Sequence, residues 1–356
     1  MIARYAAQDL HNFALALLER AGLDAPLARD VAEILVEGDL LGHDTHGLAL
    51  LAGYLGELDK GSMTKRGTYE LVNARTAVET WDGRRLPGPW LTLRAIDKAI
   101  AMARNCGSGT VAIRRSHHIA CLAAYLPRVT ERGLMIVIAC SDPNSASVAP
   151  HGGTRAVFTP DPLALGFPTA GEPVLVDISA SLTTNGMTAR LHRQGKTLAQ
   201  PWLLDVAGNA SADPAVLFTN PPGTILPLGG LDAGHKGYGL ALLVESLTGG
   251  LAGFGRADPK EGWGATVTVQ VLDPEAFGSR AQFERQMEAI ATQCRGNPPR
   301  AGFDRVRLPG ERGLARRREQ LADGVALNQE ILPTLAPWAE RLDVALPPRS
   351  LNTAAA

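Results

Sequence analysis

Two histidines three residues apart, His43 and His46 of Gly42-His43-Asp44-Thr45-His46-Gly47, form the motif best suited to chemistry in this sequence. The spacing predicts that both imidazoles lie on one side at the start of a helix. Imidazole titrates near neutral pH, so His46 can supply the proton that a carbonyl needs when its carbon receives a hydride, and Thr45 can orient the ring or the substrate. Alternatively, Asp44 and Thr45 only cap a helix and His46 is a packed core residue.

Further histidines raise the possibility of a metal site. His118 follows a predicted strand in Ser116-His117-His118, and His151 follows another. A metal-dependent hydrolase could combine His43 and His46 with His118 or His151, since zinc needs a third and normally a fourth ligand. Proton transfer is the better-motivated use of His46, and we expect no metal.

The four cysteines are widely scattered and form no CxxC pair. We expect them to be buried small hydrophobic residues, with a disulfide or a reactive thiol as the alternative. They are Cys106, Cys121, Cys140 and Cys294.

A conventional dinucleotide site needs G-x-G-x-x-G directly after a strand and at the start of a helix. The nearest match, residues 107–112, closes a predicted helix and opens a strand, so Gly107 or Gly109 is better interpreted as a helix C-cap. Residues 237–242 open a helix but lack the third glycine. Local motifs therefore give no indication of a Rossmann fold.

The elements that must position these residues alternate between helix and strand. Apolar residues at helical spacing, including Leu10, Phe13, Leu17 and Leu18, predict helices over 7–60, with a second start near Asp24 and Pro26. Further helices are predicted at 90–105, 119–131, 235–253 (buried) and from about 310. Strands are predicted around 70–82 with a turn at Asp82-Gly83, and at 109–114, 134–140, 174–178 and 264–272. This alternation predicts an α/β or α+β core.

Bulk properties exclude several function classes. A length of 356 residues suits two or three lobes that share one interior. The formal net charge of -1 gives no general attraction for nucleic acid or an anionic membrane, and no apolar run approaches the roughly 20 residues that span a bilayer. Charges interrupt the apolar positions of the first 22 residues, which is unlike a signal peptide and favours a cytoplasmic location.

Seven stretches, in order over about residues 5–330, together resemble the malate/L-lactate/ureidoglycolate dehydrogenase family, which also contains sulfolactate dehydrogenases and piperideine-2-carboxylate/pyrroline-2-carboxylate reductases. Each stretch is weak alone, but seven in the family's order are specific. They are Gly42–Gly47, Ser116–Ala120, Ala149–Gly153 with Asp161-Pro162, Val176–Ser179, Leu226–Gly230, His235–Leu240 and Leu308–Glu311.

The resemblance implies a homodimer whose helical lobe combines residues 1–70 with 310–356, and a non-Rossmann lobe, 71–309, for cofactor and substrate. It implies NAD or NADP as cofactor and hydride transfer to or from a small 2-keto or 2-hydroxy acid or a cyclic imino acid.

His46 would donate or accept the proton, with Thr45 in the place of the family's serine. Tyr54 and His118 would bind substrate. The implied cofactor contacts are His118, Ile119, Ala120, Asp177, Ile178, Ser179, His235, Lys236, Pro309, Gly310, Glu311 and Arg312. Lys236 suits an anionic group, although by itself it could equally be a solvated helix end.

The sequence departs from the family pattern mainly on the substrate side. Leu50 stands where the family has an arginine suited to clamp a carboxylate, although Tyr54 is kept. Pro160 replaces a threonine, Met187 an acidic residue of the imino-acid reductases, and Ala120 a glycine. Either another cation, such as an arginine from 312–318, replaces the clamp, or the substrate is not an ordinary 2-keto acid. A rival hypothesis keeps the scaffold but has altered or lost catalysis.

Overall fold

The computed structural model describes residues 3–349, which form ten α-helices and twelve strands. The helices are α1 (Ala7–Arg20), α2 (Ala25–Leu41), α3 (Leu51–Asp59), α4 (Gly88–Cys106), α5 (Pro127–Thr130), α6 (Asn185–Arg193), α7 (Gly230–Glu245), α8 (Arg280–Arg295), α9 (Glu311–Asp323) and α10 (Ile331–Arg341). The strands are β1 (Arg4–Tyr5), β2 (Glu70–Arg75), β3 (Val78–Asp82), β4 (Ser108–Ser116), β5 (Met135–Ser141), β6 (Leu163–Phe167), β7 (Val174–Ile178), β8 (Leu203–Leu204), β9 (Ala210–Ser211), β10 (Thr224–Ile225), β11 (Ala265–Leu272) and β12 (Val325–Ala326).

A seven-stranded mixed sheet lies at the centre, in the order β2-β3-β4-β11-β5-β6-β7. Its pairs are antiparallel except β3 with β4. This topology confirms the non-Rossmann α/β prediction, because a doubly wound dinucleotide fold needs a mainly parallel sheet. The predicted strand at 264–272 is the middle one, and Val267, Val269 and Val271 are fully buried in it.

The two ends of the described chain meet beside this sheet. Strand β1 pairs with β12, α2 packs against α9 and α4, and α3 packs against α10. The predicted apolar stripe of α1 is buried, and one hydrophobic core runs from α1 into the sheet. The division into lobes at 70 and 310 remains a prediction, and residues 1–2 and 350–356 of the predicted helical lobe lie outside the described residues.

Several local predictions need correction. Strands β2 and β3 are joined by a turn at Thr76-Ala77, and not at Asp82-Gly83 as predicted. Asp82 is the last residue of β3. Asp24 precedes α2 without a side-chain capping hydrogen bond, although Pro26 is in the first turn as predicted. Helix α8 was not predicted. Gly107 is the left-handed C-cap of α4 (φ 81°), as predicted.

The predicted helix over 119–131 is wrong. Residues 122–125 form a short 3-10 turn and only Pro127–Thr130 is α-helical. Ala120 has a positive φ of 60°, which ends any helix at that point. The Tyr125 hydroxyl donates to the Ile119 carbonyl at 2.6 Å, so the non-helical path has its own hydrogen bonds.

Helix α7 exists as predicted, but the prediction that it is buried is wrong. Its inward side consists of small residues, and a Cβ on Gly237 would lie 2.3 Å from the Leu228 nitrogen. Large apolar side chains on the other sides of α7 and the following turn are exposed: Leu231, Leu242, Leu243 and Leu251. Among residues 3–349, no helix is long and apolar enough to span a membrane.

Candidate active site

The histidine motif lies in the loop that joins α2 to a 3-10 turn at Leu48–Leu50. The prediction that it begins a helix is therefore wrong. Gly42 ends α2 in the left-handed conformation (φ 88°), and the His43 amide donates back to the Gly38 carbonyl. Because the motif is not helical, its two histidine rings need not lie on one side.

Asp39, in the last turn of α2, anchors this loop through its side chain. Its buried carboxylate accepts the Leu48 N–H at 2.7 Å, and burial raises the pKa of Asp39 to about 7. A Cβ on Gly47 would lie 2.3 Å from Asp39 Cγ, so the close approach requires glycine. Gln320 of α9 donates to the Asp39 carbonyl, which fixes the same point from the C-terminal part of the chain.

Arg190 of α6 holds the loop from the other side. Its guanidinium donates to the Asp44 carboxylate at 2.9 Å and to the Asp44 carbonyl at 2.8 Å. Asp44 therefore belongs to an ion pair and does not cap a helix, contrary to the alternative interpretation. Gly186, near the start of α6, lies against the motif: a Cβ there would be 3.9 Å from His46 Cε1.

His46 has one side-chain hydrogen-bond partner, the Thr45 hydroxyl, 2.9 Å from Nδ1. Burial, and to a smaller extent the nearby His43 and Arg190, lower the pKa of His46 to about 4. The ring is therefore neutral at pH 7. In this form it can accept a proton from a hydroxyl group, whereas donation requires the minor imidazolium form.

His118 lies beside His46, with ring centroids 6.0 Å apart. Its Nδ1 accepts the Ala120 N–H at 3.2 Å and lies 2.9 Å from the Tyr54 hydroxyl. Burial lowers the pKa of His118, so the ring is neutral and carries its proton on Nε2. Tyr54 itself is fully buried and lines neither of the two cavities described below, and its hydroxyl is in a position to orient the His118 ring. Its predicted substrate contact remains a prediction.

Sequence reasoning missed Trp263, whose ring lies 4.8 Å from that of His118 and also contacts Tyr54. It stands between Gly262 and Gly264, directly before β11. A tryptophan between two glycines was the available signal, but the contact depends on long-range packing.

A cavity of about 800 Å³ brings many of the predicted residues together. Predicted site residues in its lining are Thr45, His46, His118, Ile119, Ala120, Asp177 and Ser179. The divergent positions Leu50, Pro160 and Met187 also line it, as does Trp263. We call this the histidine cavity.

A second cavity of about 490 Å³, here called the arginine cavity, shares Gly42, His43 and Asp177 with the first. Predicted cofactor residues in its lining are Asp177, Ile178, Pro309, Gly310 and Arg312; Arg316 lines it as well. Gly310 has φ 93°, and a Cβ there would lie 2.8 Å from Leu175 Cβ, so glycine lets the two segments meet. Glu311 instead pairs with Arg295 at 2.7 Å.

His235 and Lys236 line neither cavity. Both are exposed on α7, and the His235 ring lies 5.8 Å from that of His151. Their predicted cofactor contacts remain predictions.

The potential metal ligands do not group as the hydrolase hypothesis requires. Within residues 3–349, the one set of three donor atoms within 4.8 Å of one another comes from His43, Cys121 and Asp177. Cys121 Sγ lies 3.9 Å from an Asp177 oxygen that also accepts the Ala123 N–H. All four cysteines are free; Cys121 and Cys140 are buried as expected, whereas Cys106 is exposed and Cys294 is half-buried.

Comparison with known proteins decides the family. The family model for malate/L-lactate dehydrogenase matches residues 5–336. The chain belongs to the malate/L-lactate dehydrogenase family. This member is 31% identical to the L-lactate dehydrogenase of Cupriavidus necator over 97% of each chain.

Solved structures agree with this assignment. The malate dehydrogenase of Entamoeba histolytica superposes with a TM-score of 0.91 at 24% identity over 98% of this chain and 100% of the other, which shows the shared fold. The delta1-piperideine-2-carboxylate reductase of Pseudomonas syringae superposes with a TM-score of 0.82 at 27% identity over 94% and 99%. The family consists of NAD(P)-dependent hydroxy-acid dehydrogenases and reductases, so this member is an enzyme of the dehydrogenase class.

Proposed function

We propose that this family member transfers hydride between a nicotinamide dinucleotide and the carbon of a small C–OH, C=O or C=N compound, with His46 as the proton acceptor or donor. The observation that carries the proposal is the His46–Thr45 pair, held from two sides by Asp39 and Arg190. The pair lines a cavity that adjoins a second, arginine-lined cavity. The family's 2-keto acids, 2-hydroxy acids and cyclic imino acids define the starting range of substrates.

The two cavities fit a dinucleotide. They meet at Gly42, His43 and Asp177, which line both, and Gly310 in the arginine cavity lets its segment approach Leu175 closely. Asp177, Pro309, Gly310 and Arg312 are the residues that we propose hold the cofactor. When bound, the nicotinamide supplies or accepts the hydride.

The arginine cavity favours NADP over NAD. Arg312 and Arg316 both line it. Arg317 and Arg318 pair with Glu37 and Glu172, whereas in the described part of the chain, 3–349, Arg312 and Arg316 form no ion pair. A guanidinium without a carboxylate partner suits a 2′-phosphate, which can accept two parallel hydrogen bonds.

His46 handles the proton in either direction. In oxidation, neutral Nε2 accepts the hydroxyl proton as hydride leaves the carbon, while the Thr45 hydroxyl orients the ring through Nδ1. In reduction, imidazolium is the donor, and its fraction falls about tenfold per pH unit above the pKa of about 4. The neutral Nε2–H of His118 can hold the reacting oxygen or a neighbouring one.

We further propose a homodimer formed through the exposed leucines of α7 and its extension. Contiguous exposed apolar side chains commonly mark an interface between chains. The cytoplasmic location remains a prediction.

Titration of the purified protein with NADH and with NADPH, followed by nicotinamide fluorescence, tests the proposal. We expect saturable binding, and then cofactor oxidation or reduction with members of a panel of 2-keto acids, 2-hydroxy acids, cyclic imines and their uncharged analogues. Failure to bind either dinucleotide rejects the proposal. Binding without any turnover supports the rival hypothesis of a scaffold with lost catalysis. Absence of dinucleotide binding together with transition-metal-dependent hydrolysis of an ester or amide supports the hydrolase.

A further inference from the structure

We propose that the group beside the reacting carbon of the substrate is uncharged, so that the preferred substrates are ketones, secondary alcohols or 2-keto and 2-hydroxy esters in place of 2-keto or 2-hydroxy acids. This inference rests on the proposed function, because it concerns the substrate end of the same cavity.

The first support is the set of apolar side chains in the lining of the histidine cavity. Leu50, Pro160, Met187 and Trp263 all line the histidine cavity, and each presents a mainly apolar surface. Leu50 also packs against the central hydrophobic core, so its side chain is part of a fixed wall. It occupies the position at which the family resemblance places a carboxylate-binding arginine. Such a wall favours an alkyl or aromatic group, which gains free energy by leaving water.

The second support is the charge of the cavity. Asp142 in its lining would repel an anionic substrate, and the other two carboxylates there offer it no attraction, because Asp44 is paired with Arg190 and burial raises the pKa of Asp177. The nearest cation of the loop, Arg190, already donates to Asp44 through two nitrogens. Among residues 3–349, no arginine or lysine lines the histidine cavity, so a substrate carboxylate would lose hydration there without forming an ion pair to this part of the chain.

The third support concerns the alternative that an arginine from 312–318 replaces the missing clamp. Arg312 and Arg316 line the arginine cavity, on the far side of His43 and Asp177. Arg317 and Arg318 pair with Glu37 and Glu172. Neutral hydrogen-bonding groups do line the histidine cavity, notably His118 and Asn185, and they suit a carbonyl or ester oxygen.

Binding of oxamate, an anionic analogue of pyruvate, to the cofactor-loaded protein tests the charge argument. Calorimetric titrations would compare the natural protein with Leu50→Arg and with Leu50→Met, which changes shape without adding charge. We expect Leu50→Arg to bind oxamate about tenfold or more tightly than the other two, since a charge-assisted hydrogen bond is restored. Equal oxamate affinity in all three proteins overturns the inference.

Turnover by the natural protein gives a second arm that needs no variant. Pyruvate would be compared with methyl pyruvate, and phenylpyruvate with its methyl ester, at saturating NADPH. We expect kcat/KM to be at least about tenfold higher for each ester than for the matched acid. Higher values for the acids overturn this inference while supporting the proposed function. Absence of dinucleotide binding would contradict the proposed function instead. If the cofactor binds but no probe is turned over, the oxamate titration still tests the present inference separately from the proposed function.

Discussion

The histidine and arginine cavities adjoin, yet they differ in charge and in how closely they keep the family pattern. The arginine cavity contains Pro309, Gly310 and two guanidinium groups, of Arg312 and Arg316, that form no ion pair within residues 3–349. The histidine cavity keeps His46 but is walled by Leu50, Met187 and acidic side chains. Residues that resemble the family's cofactor contacts are therefore retained, while several substrate-side positions have changed.

Under the proposed function, the two ends of the site have different requirements. The cofactor end would hold a nicotinamide dinucleotide in any active member, so we expect Gly310 and the arginines proposed to meet phosphate to tolerate little change. The substrate end needs only the proton-transfer group to stay in place, and its walls can change with the substrate. Substitutions in the histidine cavity should therefore change turnover, and substitutions in the arginine cavity should change cofactor affinity.

The largest effect is expected from His46→Gln. Glutamine keeps a polar side chain but cannot transfer a proton, so kcat should fall by about 10²–10⁴-fold for whichever probe is turned over. Dissociation constants for NADH and NADPH, measured by fluorescence, should stay unchanged, because the arginine cavity is untouched. Retention of most of the activity would exclude His46 as the proton-transfer group.

The next effect concerns the arginine cavity. Arg312→Met combined with Arg316→Met should weaken NADPH binding by about 10- to 100-fold, because each guanidinium can form a charge-assisted hydrogen bond with the 2′-phosphate. NADH binding should change little. Arg318→Met is the matched control, since Arg318 is exposed and pairs with Glu172 outside both cavities. Equal losses for NADH and NADPH would contradict the proposed phosphate contact.

Regular periodicity made much of the fold predictable from sequence. Leu10, Phe13, Leu17 and Leu18 fall on one side of α1 and are all buried, and β11 is a buried strand as its valines indicate. Periodicity failed at 119–131, where apolar residues occur at every spacing and the positive φ of Ala120 decides the path. It also failed to show that α7 is exposed, because leucines surround that helix and burial depends on what packs against it.

Those residues of the candidate site that belong to short sequence motifs were predictable from the sequence. The residues of 42–47, 118–120 and 309–312 each supply members of the two cavities. The contacts that set their chemistry were not predictable, since they join distant segments. Arg190 reaches Asp44 across 146 positions, and Trp263 reaches His118 only because the chain returns to β11 beside β4.

The loop that carries His46 should be sensitive to one added carbon. Gly47→Ala places a Cβ against the buried Asp39 carboxylate, so we expect a loss of about 1–3 kcal/mol in the free energy of unfolding, measured by denaturant titration. Gly56→Ala is the matched control, because a Cβ there meets nothing within 4 Å in the interior of α3, and it should be neutral or stabilising by up to about 1 kcal/mol. Similar stabilities for the two variants would show that Asp39 does not anchor the loop.

The smallest effect is a change in pH dependence at the substrate end. Met187→Asp places a carboxylate in the lining of the histidine cavity, next to Gly186, where an added Cβ would lie 3.9 Å from His46 Cε1. A nearby negative charge should raise the pKa of His46 by about 1 unit. The sign follows from the reaction direction: reduction needs imidazolium, so at pH 7 its rate should rise about tenfold, whereas oxidation needs the neutral ring and should lose activity at a higher pH than before. Met187→Asn is the control of similar size without charge, and pH profiles of kcat/KM in both directions provide the measurement. Superimposable profiles for the two variants would mean that position 187 lies too far from His46 to influence its proton, so that the neutral state of this histidine is set by its burial and by His43 and Arg190.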